Sequence, residues 1–247
     1  MKILLEIAYV GTLYHGFQVQ NNAPSVQKTL QTALETFFNK KLLLSGCSRT
    51  DSGVHAKQFF CTVEGDIADT FPIAKLPIAA SRFLPDDIAI LSAKKVEDSF
   101  HVRYDVVYKE YEYLILNRAE KDPFLASRAY HYPRALDLDK MNQAAALIVG
   151  KHDFASFMAA GSKIVDSVRT VKSCSVEKNG DLVTVRVSAD GFLYNMVRII
   201  CGTLIAVSEG KIKAEDIPDV IDACDRKRAG MTLPPDGLYL AKVVYSC

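Results

Sequence analysis

The sequence has almost no net charge, no paired cysteine motif and no long apolar run. Among its 247 residues, 30 lysines and arginines stand against 29 aspartates and glutamates, a formal balance of +1. Global charge therefore does not mark a nucleic-acid binder, and any phosphate contact must come from a local basic patch. Lys40-Lys41, Lys94-Lys95 and Arg226-Lys227-Arg228 are the candidates; such runs are more often solvated surface than a binding face. Six cysteines, Cys47, Cys61, Cys174, Cys201, Cys224 and Cys247, are scattered without a Cys-x-x-Cys pair, and the histidines complete no zinc pattern. No apolar stretch approaches membrane-spanning length. The opening Met1-Lys2-Ile3-Leu4-Leu5-Glu6 carries charge within its apolar residues, so it reads as a strand and not a signal peptide. Together these absences point to a cytoplasmic protein with reduced thiols and no membrane partner. What is plentiful is core material: 49% of residues are hydrophobic, enough for one large domain or two small ones.

The most informative stretch is Cys47-Ser48-Arg49-Thr50-Asp51-Ser52-Gly53-Val54-His55-Ala56. It is a polar run between Leu42-Leu43-Leu44 and Phe59-Phe60-Cys61, short β-prone segments that read as strands. The run is thus a loop tethered at both ends by a sheet, with Asp51 near its middle. A carboxylate so placed can be held rigidly, which a nucleophile or base requires. Asp-Ser-Gly is also common turn chemistry, so spacing alone leaves both a plain turn and a catalytic carboxylate open.

In chain order, residues 3–10 form a first strand ended by Gly11. Residues 14–21 form a loop rich in aromatics and amides, read either as packed surface or as a base-facing surface. Ser25 is a good N-cap; Val26, Leu30, Ala33, Leu34 and Phe37 follow at helical spacing, and Asn39 suits the left-handed residue beyond. After the tethered loop come a helix over 76–84 with Pro77 in its first turn and a strand over 88–96. The order strand, helix, strand, strand, helix, strand is that of a ferredoxin-like or RRM-like unit. A long strand over 106–116 places Lys109, Tyr111, Tyr113 and Ile115 on one face. A short strand over 128–132, a helix over 138–149 capped by Asp137, and a loop or lid over 152–167 follow. Strands over 170–178 and 181–189 meet at the hairpin signal Asn179-Gly180. A helix over 195–208 shows an apolar stripe of Met196, Ile200, Cys201, Leu204 and Val207; a short helix from Pro218 and a last strand over 238–245 close the chain. The expected fold is α+β, with two RRM- or ferredoxin-like halves, 1–105 and 106–247, forming one mainly antiparallel sheet with helices on one face and a cleft on the other.

The string Arg49-Thr50-Asp51-Ser52-Gly53-Val54-His55-Ala56 resembles the Arg-Thr-Asp-Ala-Gly-Val-His-Ala signature of the TruA-type tRNA pseudouridine synthases. Ser52 stands where alanine is usual and Ser48 where glycine is usual; both are small. Four further stretches resemble the same family in the same order: Phe100-His101-Val102-Arg103, the strand Tyr108-Lys109-Glu110-Tyr111-Glu112-Tyr113, Asp190 through Met196-Val197-Arg198, and Gly237-Leu238-Tyr239-Leu240. The resemblance implies isomerisation of uridine to pseudouridine in the tRNA anticodon stem-loop, at roughly positions 38–40, by a homodimer without cofactor or metal. It implies Asp51 as the catalytic carboxylate and Arg198 as its ion-pair partner, an arginine favouring the ionised form. It further implies Tyr111 against the flipped base, with Arg49 and Leu240 among the substrate-binding residues. Arg49 can fill the gap left by the base or hold a phosphate. His55, at i+4 from Asp51, suggests acid–base work by its chemistry, but in the family pattern it reads as loop-stabilising; His101 and Arg103 take the same structural reading.

Two other classes compete. Asp51-Ser52-Gly53 matches the aspartic-protease signature, but that chemistry needs two such carboxylates and the chain has one copy, so a symmetric dimer would be required. A non-catalytic RNA-binding module would explain the aromatic loop but not the matching positions of Asp51, Tyr111 and Arg198.

Overall fold

The computed structural model describes residues 1–68, 70–161 and 165–246. Two compact units emerge, Met1–Val107 with Tyr239–Cys247, and Tyr108–Leu238. The expected second half ran through residue 247; instead the final strand packs with the first unit.

The first unit contains β1 (Lys2–Tyr9), α1 (Val26–Phe38), β2 (Leu43–Gly46), β3 (His55–Glu64), α2 (Leu76–Ala80) and β4 (Ile88–Lys95). β1 lies between β4 and β3, antiparallel to both, and β2 pairs antiparallel with the far edge of β3. The sequence-predicted order of elements is therefore the observed one. α1 begins as expected: the Ser25 hydroxyl accepts the Lys28 amide at 3.3 Å. It ends at Asn39, left-handed with φ 51. Val26, Leu30, Ala33 and Leu34 are its buried face. The helix expected over 76–84 is shorter, flanked by 3-10 turns at Ile73–Lys75 and Ser81–Phe83. Pro85 explains its stop: it pushes Leu84 to an extended backbone, φ −97 and ψ 146.

The second unit contains β5 (Val106–Leu116), β6 (Tyr130–His131), α3 (Leu138–Ile148), β7 (Gly150–Asp153), β8 (Val168–Asn179), β9 (Leu182–Ala189), α4 (Met196–Ser208) and α5 (Ile217–Asp222). β5, β9, β8 and β7 follow one another as antiparallel neighbours. β10 (Leu238–Tyr245) then joins the first unit, parallel to the start of β3, with Tyr239 opposite His55 and Leu240 opposite Ala56. The outer edge of β3 is thus shared, β2 at one end and β10 at the other.

Three expectations need correction in the second unit. The stretch read as a loop or lid begins inside β7, where Lys151, His152 and Asp153 pair with Thr170, Arg169 and Val168; the backbone pairing of an edge strand does not need the apolar alternation that would have revealed it. Of that stretch, residues 162–164 lie outside the described residues. In the hairpin, Asn179 pairs with Leu182, so the turn is Gly180-Asp181, with Gly180 at φ 57 in the first central place. α4 is buried on nearly every side, not along one stripe: among its residues only Arg198, Ala206 and Ser208 are not buried.

Close backbone packing accounts for that burial. A Cβ on Gly202 would lie 1.9 Å from the Met231 carbonyl oxygen. The Thr203 hydroxyl donates to the Ile199 carbonyl at 2.8 Å and accepts the Gly230 amide at 2.9 Å. The basic runs are partly spent on structure: Lys40 pairs with Asp66, Lys41 with Glu35, and Arg226 donates to the Gly230 carbonyl and Thr232 hydroxyl. Among the described residues, no helix is long and apolar enough to cross a membrane.

Gly202→Ala is expected to cost at least about 2 kcal/mol through overpacking, read as a lower urea midpoint at unchanged slope. An unchanged midpoint would mean that the 229–231 segment does not close on α4.

Candidate active site

The loop between β2 and β3 is pinned along its length. At its start the Cys47 amide donates to the Phe60 carbonyl at 2.8 Å, and the cysteine is fully buried. The Thr50 hydroxyl shares a buried hydrogen bond of 2.8 Å with the Tyr9 hydroxyl. The Val54 amide closes a turn onto the Asp51 carbonyl at 3.2 Å. Gly53, at φ 80, donates its amide to the Tyr14 carbonyl at 3.1 Å. His55 is wholly buried, and its Nδ1 accepts the Gly11 amide at 3.0 Å, so that nitrogen carries no proton. His55 therefore stabilises the loop, as the family pattern implied; its ring also lies 4.6 Å from that of Tyr239.

Residues 11–16 press directly on this loop. A Cβ on Gly11 would meet the Val54 carbonyl oxygen at 1.9 Å, and one on Gly16 the Thr50 carbonyl oxygen at 2.3 Å. Gly16 also sits at φ +89, where side chains are strained. The aromatic residues of 14–21 are consumed by this packing. Phe17 stacks on Phe59 at 4.2 Å, and the buried Tyr14 donates its hydroxyl to Asp87 at 2.7 Å. Burial first, then Asp87, pushes the Tyr14 hydroxyl pKa well up. The base-facing reading of these aromatics is thereby overturned; they are core.

Within this frame Asp51 is half-buried and Arg49 exposed. Leu240 is fully buried on β10, beside Ala56 at the loop's exit. Asp51, Arg49 and Leu240 thus belong to the first unit.

Tyr111 and Arg198 belong to the second. Tyr111 is 6% exposed and meets Phe192 edge-on at 4.9 Å. Arg198, in the first turn of α4, is half-buried. Its Nε donates to the Leu233 carbonyl at 2.7 Å and its Nη1 to Asn195 Oδ1 at 2.6 Å. Two positions along β5 from Tyr111, the Tyr113 hydroxyl donates to the Pro234 carbonyl at 2.7 Å. Burial raises the Tyr113 pKa, and the Arg198 charge works against that rise. Among the described residues, no group of three or more His, Cys, Asp or Glu can hold a metal ion.

A family profile described as tRNA pseudouridine synthase matches residues 6–105 and 144–246. The chain is 44% identical over 244 residues to tRNA pseudouridine synthase A of Thermoanaerobacter sp., covering 99% of both proteins. It is 44% identical over 247 residues to the protein of that name from Acetivibrio thermocellus and 40% identical over 247 residues to that from Bacillus pumilus, again at 99% coverage of both chains. The chain belongs to the tRNA pseudouridine synthase family.

Membership makes it an isomerase acting on tRNA and sets aside the aspartic-protease reading. The residues that hold the motif-named side chains carry weaker signals in the sequence. Tyr9 and Gly11 were read only as a strand end, and Gly16 as part of an aromatic loop. Asn195 was only a helix start, and Phe192 only part of a motif. The signal for Asn195 was an amide three residues before an arginine at a helix start, a spacing that brings both onto one face.

Tyr9→Phe removes the partner of the buried Thr50 hydroxyl. The expected result is a stability loss of about 1–2 kcal/mol and a several-fold fall in kcat with KM little changed. Urea denaturation and steady-state kinetics on tRNA check both; unchanged kcat would show that Thr50 does not hold the loop for turnover.

Proposed function

We propose that this synthase isomerises uridines of the tRNA anticodon stem-loop, at roughly positions 38–40, with Asp51 as its catalytic carboxylate. The N-glycosidic bond from C1′ to N1 breaks, the uracil turns in place, C5 joins C1′, the C5 proton passes to solvent, and N1 takes up a proton in its place. Nothing is oxidised or reduced, and no group is lost or gained. The target nucleotide leaves the base stack, at a cost of about a few kcal/mol, and Tyr111, buried against Phe192 with only 6% of its surface accessible, is assigned the contact to the extruded base. Arg198 serves Asp51 by favouring its ionised form. Arg49, exposed and two residues before the carboxylate, holds a phosphate or fills the gap that the base leaves. Leu240 supplies apolar contact beside the loop.

The observation that supports this reading best is the rigid presentation of Asp51. A half-buried carboxylate sits in a turn whose neighbours, Thr50, Gly53 and Val54, are each tied by a hydrogen bond. Preorganisation of this kind suits a group that must meet a reacting nucleotide at fixed distance. A near-neutral chain binds a polyanion more readily as a homodimer, which doubles the basic surface offered to one RNA; we assign the enzyme that state and a cytoplasmic location. The competing RNA-binding module loses its main support, since Tyr14 and Phe17 are buried.

The test uses an unmodified tRNA transcript with tritium at uracil C5. Wild type is expected to release tritium without added cofactor or metal. Asp51→Ala and Asp51→Asn are expected to bind the transcript normally and lose turnover by at least about a thousandfold. Turnover in both variants within tenfold of wild type would remove Asp51 from the chemistry.

A further inference from the structure

We propose that Asn195 is a positioning residue for Arg198, fixing the guanidinium in the orientation that the reaction uses. The inference deepens the role given to Arg198 under the proposed function and rests on it. Asn195 occupies the N-cap of α4, where an asparagine ordinarily turns its side chain onto a backbone amide of the first turn. Here it makes no such bond. Its Oδ1 accepts instead from Arg198 Nη1 at 2.6 Å. Its backbone is left-handed, φ 60 and ψ 10, a conformation that costs any residue with a side chain and that asparagine tolerates better than most. The start of the most buried helix thus goes without its cap bond and carries backbone strain. Each is unfavourable for stability, and the contact made in exchange is to the guanidinium.

That contact completes a two-point hold. A guanidinium is planar with donors in fixed directions, so acceptors on Nε and Nη1 set both its place and its plane. The second acceptor, the Leu233 carbonyl, lies in a segment that is itself tied down. Leu233 is fully buried, its amide donates to the Arg198 carbonyl at 3.3 Å, and the next carbonyl, of Pro234, is held by Tyr113 at 2.7 Å. A lysine ammonium at the end of a flexible stem has no plane to set in this way.

Asn195→Gly separates positioning from folding, because glycine adopts the left-handed backbone freely and removes only the side-chain acceptor. Its thermal midpoint is expected to stay near wild type. The kcat for tritium release is expected to fall about tenfold, with KM for tRNA within about twofold. The acid limb of the kcat–pH profile is expected to move to higher pH, since a carboxylate without its oriented guanidinium protonates more easily. Asn195→Asp, which keeps an acceptor and tolerates the same backbone, is expected to bring kcat back toward wild type. Wild-type kcat and pH profile in Asn195→Gly would overturn the assignment. So would a fall in kcat that only tracks lost folded protein, with the acid limb unmoved. Arg198→Ala is measured in parallel: if it turns over normally, the role of Arg198 falls and that of Asn195 with it. If Arg198→Ala is inactive while Asn195→Gly is normal, only the positioning role falls.

Discussion

Two stretches of backbone in the first unit lie against each other with no space for a side chain between them. Gly11 and Gly16 are glycines because the carbonyls of Val54 and Thr50 occupy the positions that their Cβ atoms would take. Across that contact run the Gly11 amide to His55 and the Gly53 amide to the Tyr14 carbonyl. The stiffness of the Asp51 loop follows from this contact more than from its own turn. A loop with free flanks would sample many backbone states, each residue fixed costing about 1–2 kcal/mol in entropy. Here part of that cost is met by packing that exists before any substrate arrives.

The ends of the chain contribute to the same place. β1 supplies Tyr9, whose hydroxyl meets Thr50. β10 places Tyr239 and Leu240 beside His55 and Ala56, at the point where the loop re-enters the sheet. This explains why the final strand groups with the first unit, although nearly all of the second unit separates them in sequence. In the second unit an equivalent economy appears around Arg198. Asn195, Leu233 and, through Pro234, Tyr113 converge from the start of α4, the segment before β10, and β5. The 229–231 segment beyond α5 can approach α4 so closely because Gly202 and Gly230 leave room for it.

Much of this was legible in the sequence where local chemistry acts alone. Ser25, Asn39 and Asp137 declare helix ends through bonds to their own neighbours, and each does so in the structure. Alternation along β5 foretold the buried Tyr111, Tyr113 and Ile115. Legibility failed where a partner distant in sequence decides the outcome. β7 is a strand because β8 lies beside it, whatever the polarity of Lys151, His152 and Asp153. Tyr14 and Phe17 resembled a base-binding surface until Asp87 and Phe59 claimed them. The motif pointed to Asp51 and Arg198, but the residues that hold them, Tyr9, Gly16 and Asn195, carry no chemistry of their own to attract notice. A glycine shows in a sequence; the carbonyl that requires it does not.

The rigidity of the Asp51 loop is tested most directly by native-state hydrogen exchange at the Gly53 amide, which donates to Tyr14. If the contact with residues 11–16 holds the loop, this amide exchanges only through opening that approaches global unfolding in free energy, in the free enzyme and before tRNA is added. Exchange at the rate of a fraying surface turn, with protection appearing only when tRNA binds, would contradict it. The loop would then be ordered by substrate and not by the fold.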